Sequence, residues 1–186
     1  MASNSAPKTI SLRGCPANRE GIANAAITPG HLIEQMTSGK YRVHGTAGAV
    51  RPARLFAREQ LYTGKGIDTA YSANDSLPIL NCQPGDQVYA LVAASAAAIV
   101  IGDLLESAGD GTLRKCASYL TDNSGGSANT TVADVANSFN EAGLADNFAD
   151  LAAAINRLHP GAVARAVEAV DNSGGGAAVR IRVEII

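Results

Sequence analysis

Hydrophobic and polar positions alternate most cleanly close to the last residue of the chain. In residues 178–185, Val179, Ile181, Val183 and Ile185 fall on one side of an extended backbone and Arg180, Arg182 and Glu184 on the other, which is the period of a half-buried strand. Residues 163–170 precede it across the run Asp171-Asn172-Ser173-Gly174-Gly175-Gly176. Val163, Val167 and Val170 also fit a helix, but a Gly-rich turn and a long alternating strand follow at once, and strand is the expectation. Upstream, strand patterns fall at 22–27, 31–36, 41–44, 53–60, 77–82, 86–93, 99–106 and 112–118. Pro29-Gly30, Ser38-Gly39, Pro84-Gly85 and Asp110-Gly111 punctuate them. Pro-Gly suits the central pair of a type II turn, and Asp-Gly between two strands suits a primed hairpin turn. Turn signals spaced roughly eight to twelve residues apart favour a sandwich or barrel over a parallel α/β sheet.

Two segments depart from the strand pattern. In 131–143, Val132, Val135 and Phe139 recur at helical spacing, Thr131 with Asp134 resembles a capping box, and Gly143 can end the helix. In 146–158, Phe148, Leu151, Ile155 and Leu158 share a face and His159-Pro160-Gly161 stops it. The pair reads as a helical hairpin inserted between strands, led in by a Ser/Gly/Asn-rich linker at 122–129. Residues 1–20 are polar, carry Pro7 and Pro16, and read as an extended N-terminal arm rather than part of a core. The expected fold is mainly β: a small β-sandwich or barrel at 21–186, with an inserted α-helical hairpin at about 131–158 and the arm in front of it.

Composition narrows what this fold can be built from. The chain has 186 residues, 46% of them apolar, with no Trp and three Phe, so its core rests on Val, Ile, Leu and Ala. A net charge of -2 gives no global argument for nucleic acid or an anionic membrane. The apolar run 90–101 is broken by Ser95 and too short to cross a bilayer. Lys8 and Arg13 precede no apolar stretch of signal-peptide type, so a cytoplasm-like site of synthesis is expected. Cys15, Cys82 and Cys116 are odd in number and far apart; buried free thiols are the plainer reading than a disulfide framework or zinc.

Charge is uneven along the chain. Lys40, Arg42, Arg51, Arg54, Arg58 and Lys65 face only Glu59, whereas Asp68, Asp75, Asp86, Asp103, Glu106 and Asp110 follow without a single Lys or Arg. Either the two stretches form complementary faces between copies, or their strands pair within one sheet. Candidate chemistries fail on detail. His31, His44 and His159 are isolated and no Gly-x-Ser-x-Gly elbow exists, against nucleophilic catalysis. No ligand spacing for zinc is present, and the Asp122-Asn123-Ser124 loop lacks the ligand order of a calcium hand. Gly39-Lys40 and Gly64-Lys65-Gly66 lack the hydroxyl and earlier Gly of a phosphate loop. Tyr41, Phe56 and Tyr62 lie in the basic stretch, a weak pattern for base stacking. A further class is an enzyme with an unrecognised site, for which Asp86 or Asp103 with His44 are the candidate residues. No cofactor, nucleic acid or membrane partner is expected.

Residues 101–115 read Ile-Gly-Asp-Leu-Leu-Glu-Ser-Ala-Gly-Asp-Gly-Thr-Leu-Arg-Lys, and 160–170 read Pro-Gly-Ala-Val-Ala-Arg-Ala-Val-Glu-Ala-Val before a Gly-rich turn and a final Val/Arg strand. This resembles the head decoration, or cement, proteins of tailed bacteriophages, mainly over 85–118 and 160–186. The resemblance implies a non-enzymatic protein that binds the outside of an icosahedral capsid, partnered by the major capsid protein and by itself as a trimer or dimer. It would be made in the host cytoplasm and reside on the virion. On that view residues 1–19 grip the lattice, with Lys8, Ile10, Leu12, Arg13 and Arg19 as candidate capsid-binding residues. Arg42, Arg51, Arg54 and Arg58 form a candidate basic contact face. The alternative is a carbohydrate-binding or other ligand-binding β module, for which Tyr62 and Tyr71 are the candidate stacking aromatics.

Overall fold

The computed structural model describes residues 6–49, 52–116 and 161–186. Their strands run, in chain order, β1 Ser11–Arg13, β2 Ala17–Ile22, β3 Leu32–Gln35, β4 Tyr41–Val43, β5 Leu55–Ala57, β6 Ser76–Asn81, β7 Gln87–Val92, β8 Leu104–Ser107, β9 Leu113–Lys115, β10 Ala162–Ala166 and β11 Val179–Ile185. A single 3-10 turn at Leu61–Thr63 is the helical element among the described residues. The expected helical hairpin at 131–158 lies outside the described residues.

One sheet has the order β1-β7-β11-β10-β8-β9. A parallel contact between Val92 of β7 and Leu113 of β9 closes β7, β11, β10, β8 and β9 into a five-stranded barrel, with β1 flanking β7. Closure removes the open edges that would otherwise template aggregation. The second sheet has the order β2-β6-β5-β3-β4. Its outer strands approach each other where Ala23 bridges Tyr41 and the Asn24 N–H donates to the Tyr41 carbonyl at 2.7 Å.

The alternation in β11 does what its period predicts: Ile181, Val183 and Ile185 enter the barrel core with Val88, Ala90, Val92, Leu105 and Leu113. The centre of the second sheet, β5 with the adjoining parts of β3 and β6, is buried on both faces. Leu32, Phe56, Leu80 and Cys82 join the barrel-side core, while Ile33, Leu55, Ala57, Leu77 and Ile79 pack with Ile27 and Tyr71 on the other side. Each fully buried Leu, Ile or Phe contributes about 1.5–3 kcal/mol over its exposed state, so this sheet gains from both faces. That explains why β6 reads as a nearly continuous apolar run rather than an alternating one.

Several expected elements shift. The 22–27 strand is replaced by the isolated bridges Ala23 to Tyr41 and Ile27 to Tyr71. The 99–106 strand is interrupted, because Gly102 adopts φ 95° and the Val100 N–H donates to Asp103 Oδ2 at 2.9 Å, which builds a turn. The 53–60 strand shortens to β5, since Gln60 pairs with Lys65 around the 3-10 turn. Pro84-Gly85 turns with Gly85 at φ 91°, as a type II turn requires. The Asp110-Gly111 hairpin is not a two-residue primed turn. Gly109 and Gly111 take φ 94° and 82° around Asp110, and Ala108 N–H closes a three-residue loop onto Thr112 at 2.9 Å.

Residues 6–20, expected as an arm outside the core, are instead stitched into both sheets. β1 pairs with β7, β2 pairs with β6 over six residues, and Ile10 is fully buried in the barrel-side core. Two buried acids hold the segment. Glu59 accepts the Ile10 N–H at 3.0 Å, and Asp86 accepts the N–H groups of Cys15 and Gln83 at 3.2 and 2.8 Å. At the crossover, Gly14 has φ 96°, and a Cβ there would stand 1.9 Å from Asp86 Oδ1. Only glycine fits that position without displacing the acid.

Candidate functional site

The residues that carry the family resemblance build the β8–β9 hairpin and its approach. Asp103 braces the entry turn through Val100 N–H and a 2.9 Å ion pair to Lys115. Burial alone would raise its carboxyl, yet those two partners hold it below the ordinary carboxylate range. Asp110 accepts the Thr112 N–H at 2.9 Å and its hydroxyl at 2.5 Å. The motif is therefore a set of turn builders, and what it presents to solvent is apolar: Val100, Ile101 and Leu104 are 56%, 69% and 42% exposed. A second apolar tip stands on the 3-10 turn, where Leu61 is 63% exposed and Tyr62 fully so.

The candidate capsid-binding residues do not act as one group. Lys8, Arg13 and Arg19 are exposed, Leu12 is half-buried, and Ile10 is core. Ile10 cannot be a contact residue while the protein is folded, because no part of it reaches solvent. Of the basic set, Arg51 lies outside the described residues. Arg42 is tied to Glu34 at 2.8 Å, and Arg54 is half-buried with its carbonyl accepting the Cys82 N–H. Arg58 donates to Asn18 Oδ1 at 3.0 Å. Basic and acidic stretches also meet within the chain: β5 pairs with β6, and Lys65 holds Asp75 at 2.9 Å.

One buried polar constellation escaped the sequence. His44 Nδ1 lies 2.8 Å from Ser107 Oγ, and His44 Nε2 lies 3.8 Å from Glu34 Oε2. A hydroxyl, imidazole and carboxylate in line has the outline of a nucleophilic triad. Ser107, however, is fully buried and its Oγ also accepts the Gly109 N–H at 3.1 Å. The cluster works as a brace between β4 and the β8–β9 hairpin, reinforced by Gly111 N–H donating to the His44 carbonyl. Burial is the main cause that lowers the His44 pKa, with Glu34 opposing it. Asp86 and Asp103, the acids considered as partners for His44, are engaged with Cys15, Gln83, Val100 and Lys115 instead.

The three thiols are free: Cys15 exposed, Cys82 buried, Cys116 half-buried. Burial pushes Cys82 and Cys116 up to about 12, which leaves them protonated and inert at neutral pH. Tyr71 is buried, donates to the Arg58 carbonyl at 2.6 Å and is likewise pushed up to about 12 by burial. Among the described residues no group of three or more His, Cys, Asp or Glu side chains is arranged to hold a metal ion, and no helix is long and apolar enough to cross a membrane.

No family model matches the chain, and no curated protein does.

Proposed function

We propose that this is a capsid decoration protein, a virion structural protein that binds the outer surface of an icosahedral phage capsid and stabilises its lattice. The observation that carries the proposal is that the two sequence blocks resembling cement proteins form a single folding unit. Block 85–118 supplies β7, β8 and β9, block 160–186 supplies β10 and β11, and these five strands are the barrel. Segments far apart in the chain thus belong to one module, as a shared module requires.

The partner would be the major capsid protein, met by a dimer or trimer of this chain. An oligomer that engages several equivalent lattice sites gains avidity without a strong individual contact. Small apolar tips such as Val100-Ile101 and the exposed cations Lys8, Arg13 and Arg19 suit such weak, repeated contacts. The ligand-binding alternative loses one of its two aromatics, since Tyr71 is inside the protein and Tyr62 stands alone.

Sedimentation with empty phage capsids tests the proposal. Stoichiometric binding is expected, weakened by Ile101→Asp and by the triple change Lys8→Glu, Arg13→Glu, Arg19→Glu. A folded protein that stays in the supernatant at every ratio would overturn it.

A further inference from the structure

We propose that the cleft where the chain passes from the barrel to the second sheet binds a carboxylate group. The cleft encloses about 310 Å³ and is lined by Ser11, Cys15, Pro16, Asn18, Arg58 and Leu80 among others. It exists because β1 and β2 belong to different sheets, so the short link between them must step across the seam and leaves space beneath it.

Arg58 supplies the charge. Its Nη1 donates to the neutral Asn18 amide at 3.0 Å, and its Nε stands 3.8 Å from Glu59 Oε1 without a hydrogen bond. Glu59 commits its other oxygen to Ile10 N–H. By contrast Arg42, Arg114, Arg165 and Arg180 each hold a carboxylate at 2.6–2.9 Å. A guanidinium carries five donors in a rigid fork matched to carboxylate; in this one Nε is buried beside Glu59, and the Nη donors not given to Asn18 are left for a ligand. Asn18 and Ser11 add a polar wall, while Leu80 and Pro16 add apolar surface for a short aliphatic stem. Two carboxylates oppose an anion here: Glu59, the ion-pair partner of Arg58 at 3.8 Å, and Asp86. Asp86 is buried and both its oxygens are taken up by the N–H groups of Cys15 and Gln83, which offsets its repulsion of an incoming anion. A free short-chain acid and an acidic side chain of a partner polypeptide carry the same group. The inference stands independently of the capsid proposal.

Cys15 lines the cleft and is the exposed thiol of the three, so it reports on occupancy. Iodoacetate and iodoacetamide have nearly the same shape and differ in charge. With either reagent the Cys15 thiolate sulfur displaces iodide from the CH2 carbon, forming the S–C bond, and the thiol proton passes to solvent. The expected result is an iodoacetate to iodoacetamide rate ratio about fivefold above that of the urea-unfolded chain, the gain of one good partly exposed ion pair. Arg58→Gln should return the ratio to the unfolded value, and Arg58→Lys should fall between. Succinate and an acidic peptide, each added as a competitor against neutral iodoacetamide on the unaltered protein, distinguish the two sources of the carboxylate. This last measurement needs no variant, so it decides even if Arg58→Gln fails to fold. A native ratio equal to the unfolded one, or alkylation that neither competitor slows, would overturn the proposal.

Discussion

Replacing Ile10 by Ala tests whether the first strand is part of the fold or a detachable arm. Ile10 is fully buried, packs in the barrel-side core, and is held by its N–H on Glu59 and its carbonyl under the Tyr89 N–H at 2.8 Å. Truncating a fully buried Ile to Ala costs about 2–5 kcal/mol, the transfer cost of the lost methylenes plus the cavity they leave. Both backbone bonds persist in the variant, so the loss reports packing alone. Single-domain stabilities of about 5–15 kcal/mol make this a large fraction of the total. Urea unfolding should therefore show a midpoint lowered in Ile10→Ala with an unchanged slope. Lys8→Ala, at an exposed site two residues away, should stay within about 0.5 kcal/mol of the parent. Equal midpoints for Ile10→Ala and the parent would refute the burial of this segment. The result also governs how lattice binding is tested. Deleting residues 1–19 removes Ile10, β1 and half of β2, so lost capsid occupancy would then report unfolding rather than a missing contact.

Acid should destabilise the protein in two stages. His31 and His44 have pKa values lowered from 6.5, chiefly by burial, so the unfolded chain takes up protons first. Their contribution is complete above about 6.5 and is lost as pH falls from there toward the folded values. Asp75, Asp110 and Glu184 are also lowered, and their contribution goes only below about 4. Thermal melts across pH 8 to 3 should show both stages, and a flat profile between 7.5 and 5 would contradict the first. Glycine substitutions should separate sharply: a Cβ at Gly161 would lie 1.6 Å from the Ala49 carbonyl oxygen, whereas Gly174 has open space around it. Gly161→Ala should lower stability by about 1–3 kcal/mol or more through overpacking. Gly174→Ala should be near neutral, and equal melting of the two variants would disprove the close approach.

Legibility in the sequence followed physical cause. β11 was readable because an apolar period of two is imposed wherever a strand has one wet face. β2 was not, because Ala17-Asn18-Arg19-Glu20 is exposed and its strand character comes from pairing with β6, not from its own side chains. Ile10 reads as a lattice-contact candidate in a polar stretch, since nothing local shows that Glu59 and Tyr89 will receive its backbone. The His44 and Ser107 pair is 63 positions apart, and such contacts leave no spacing signature. The turn at Asp110-Gly111 was visible in kind, but the count of residues in the 109–111 loop was not, and Gly102 stood inside an expected strand because its φ of 95° leaves no mark on the apolar pattern around it.

The pairing of β7 with β11 sets a timetable for synthesis. Val88 and Val183 are partners although 95 positions separate them. At about 5–20 residues per second, β7 waits on the order of 5–20 s after leaving the ribosome before its neighbour exists. The second sheet has no such delay, because its strands all lie between Ala17 and Asn81. A nascent chain thus carries a second sheet whose barrel-side face is still uncovered and strands β7 and β8 that still lack β11 and β10, and chaperone capture during translation should centre on these apolar segments.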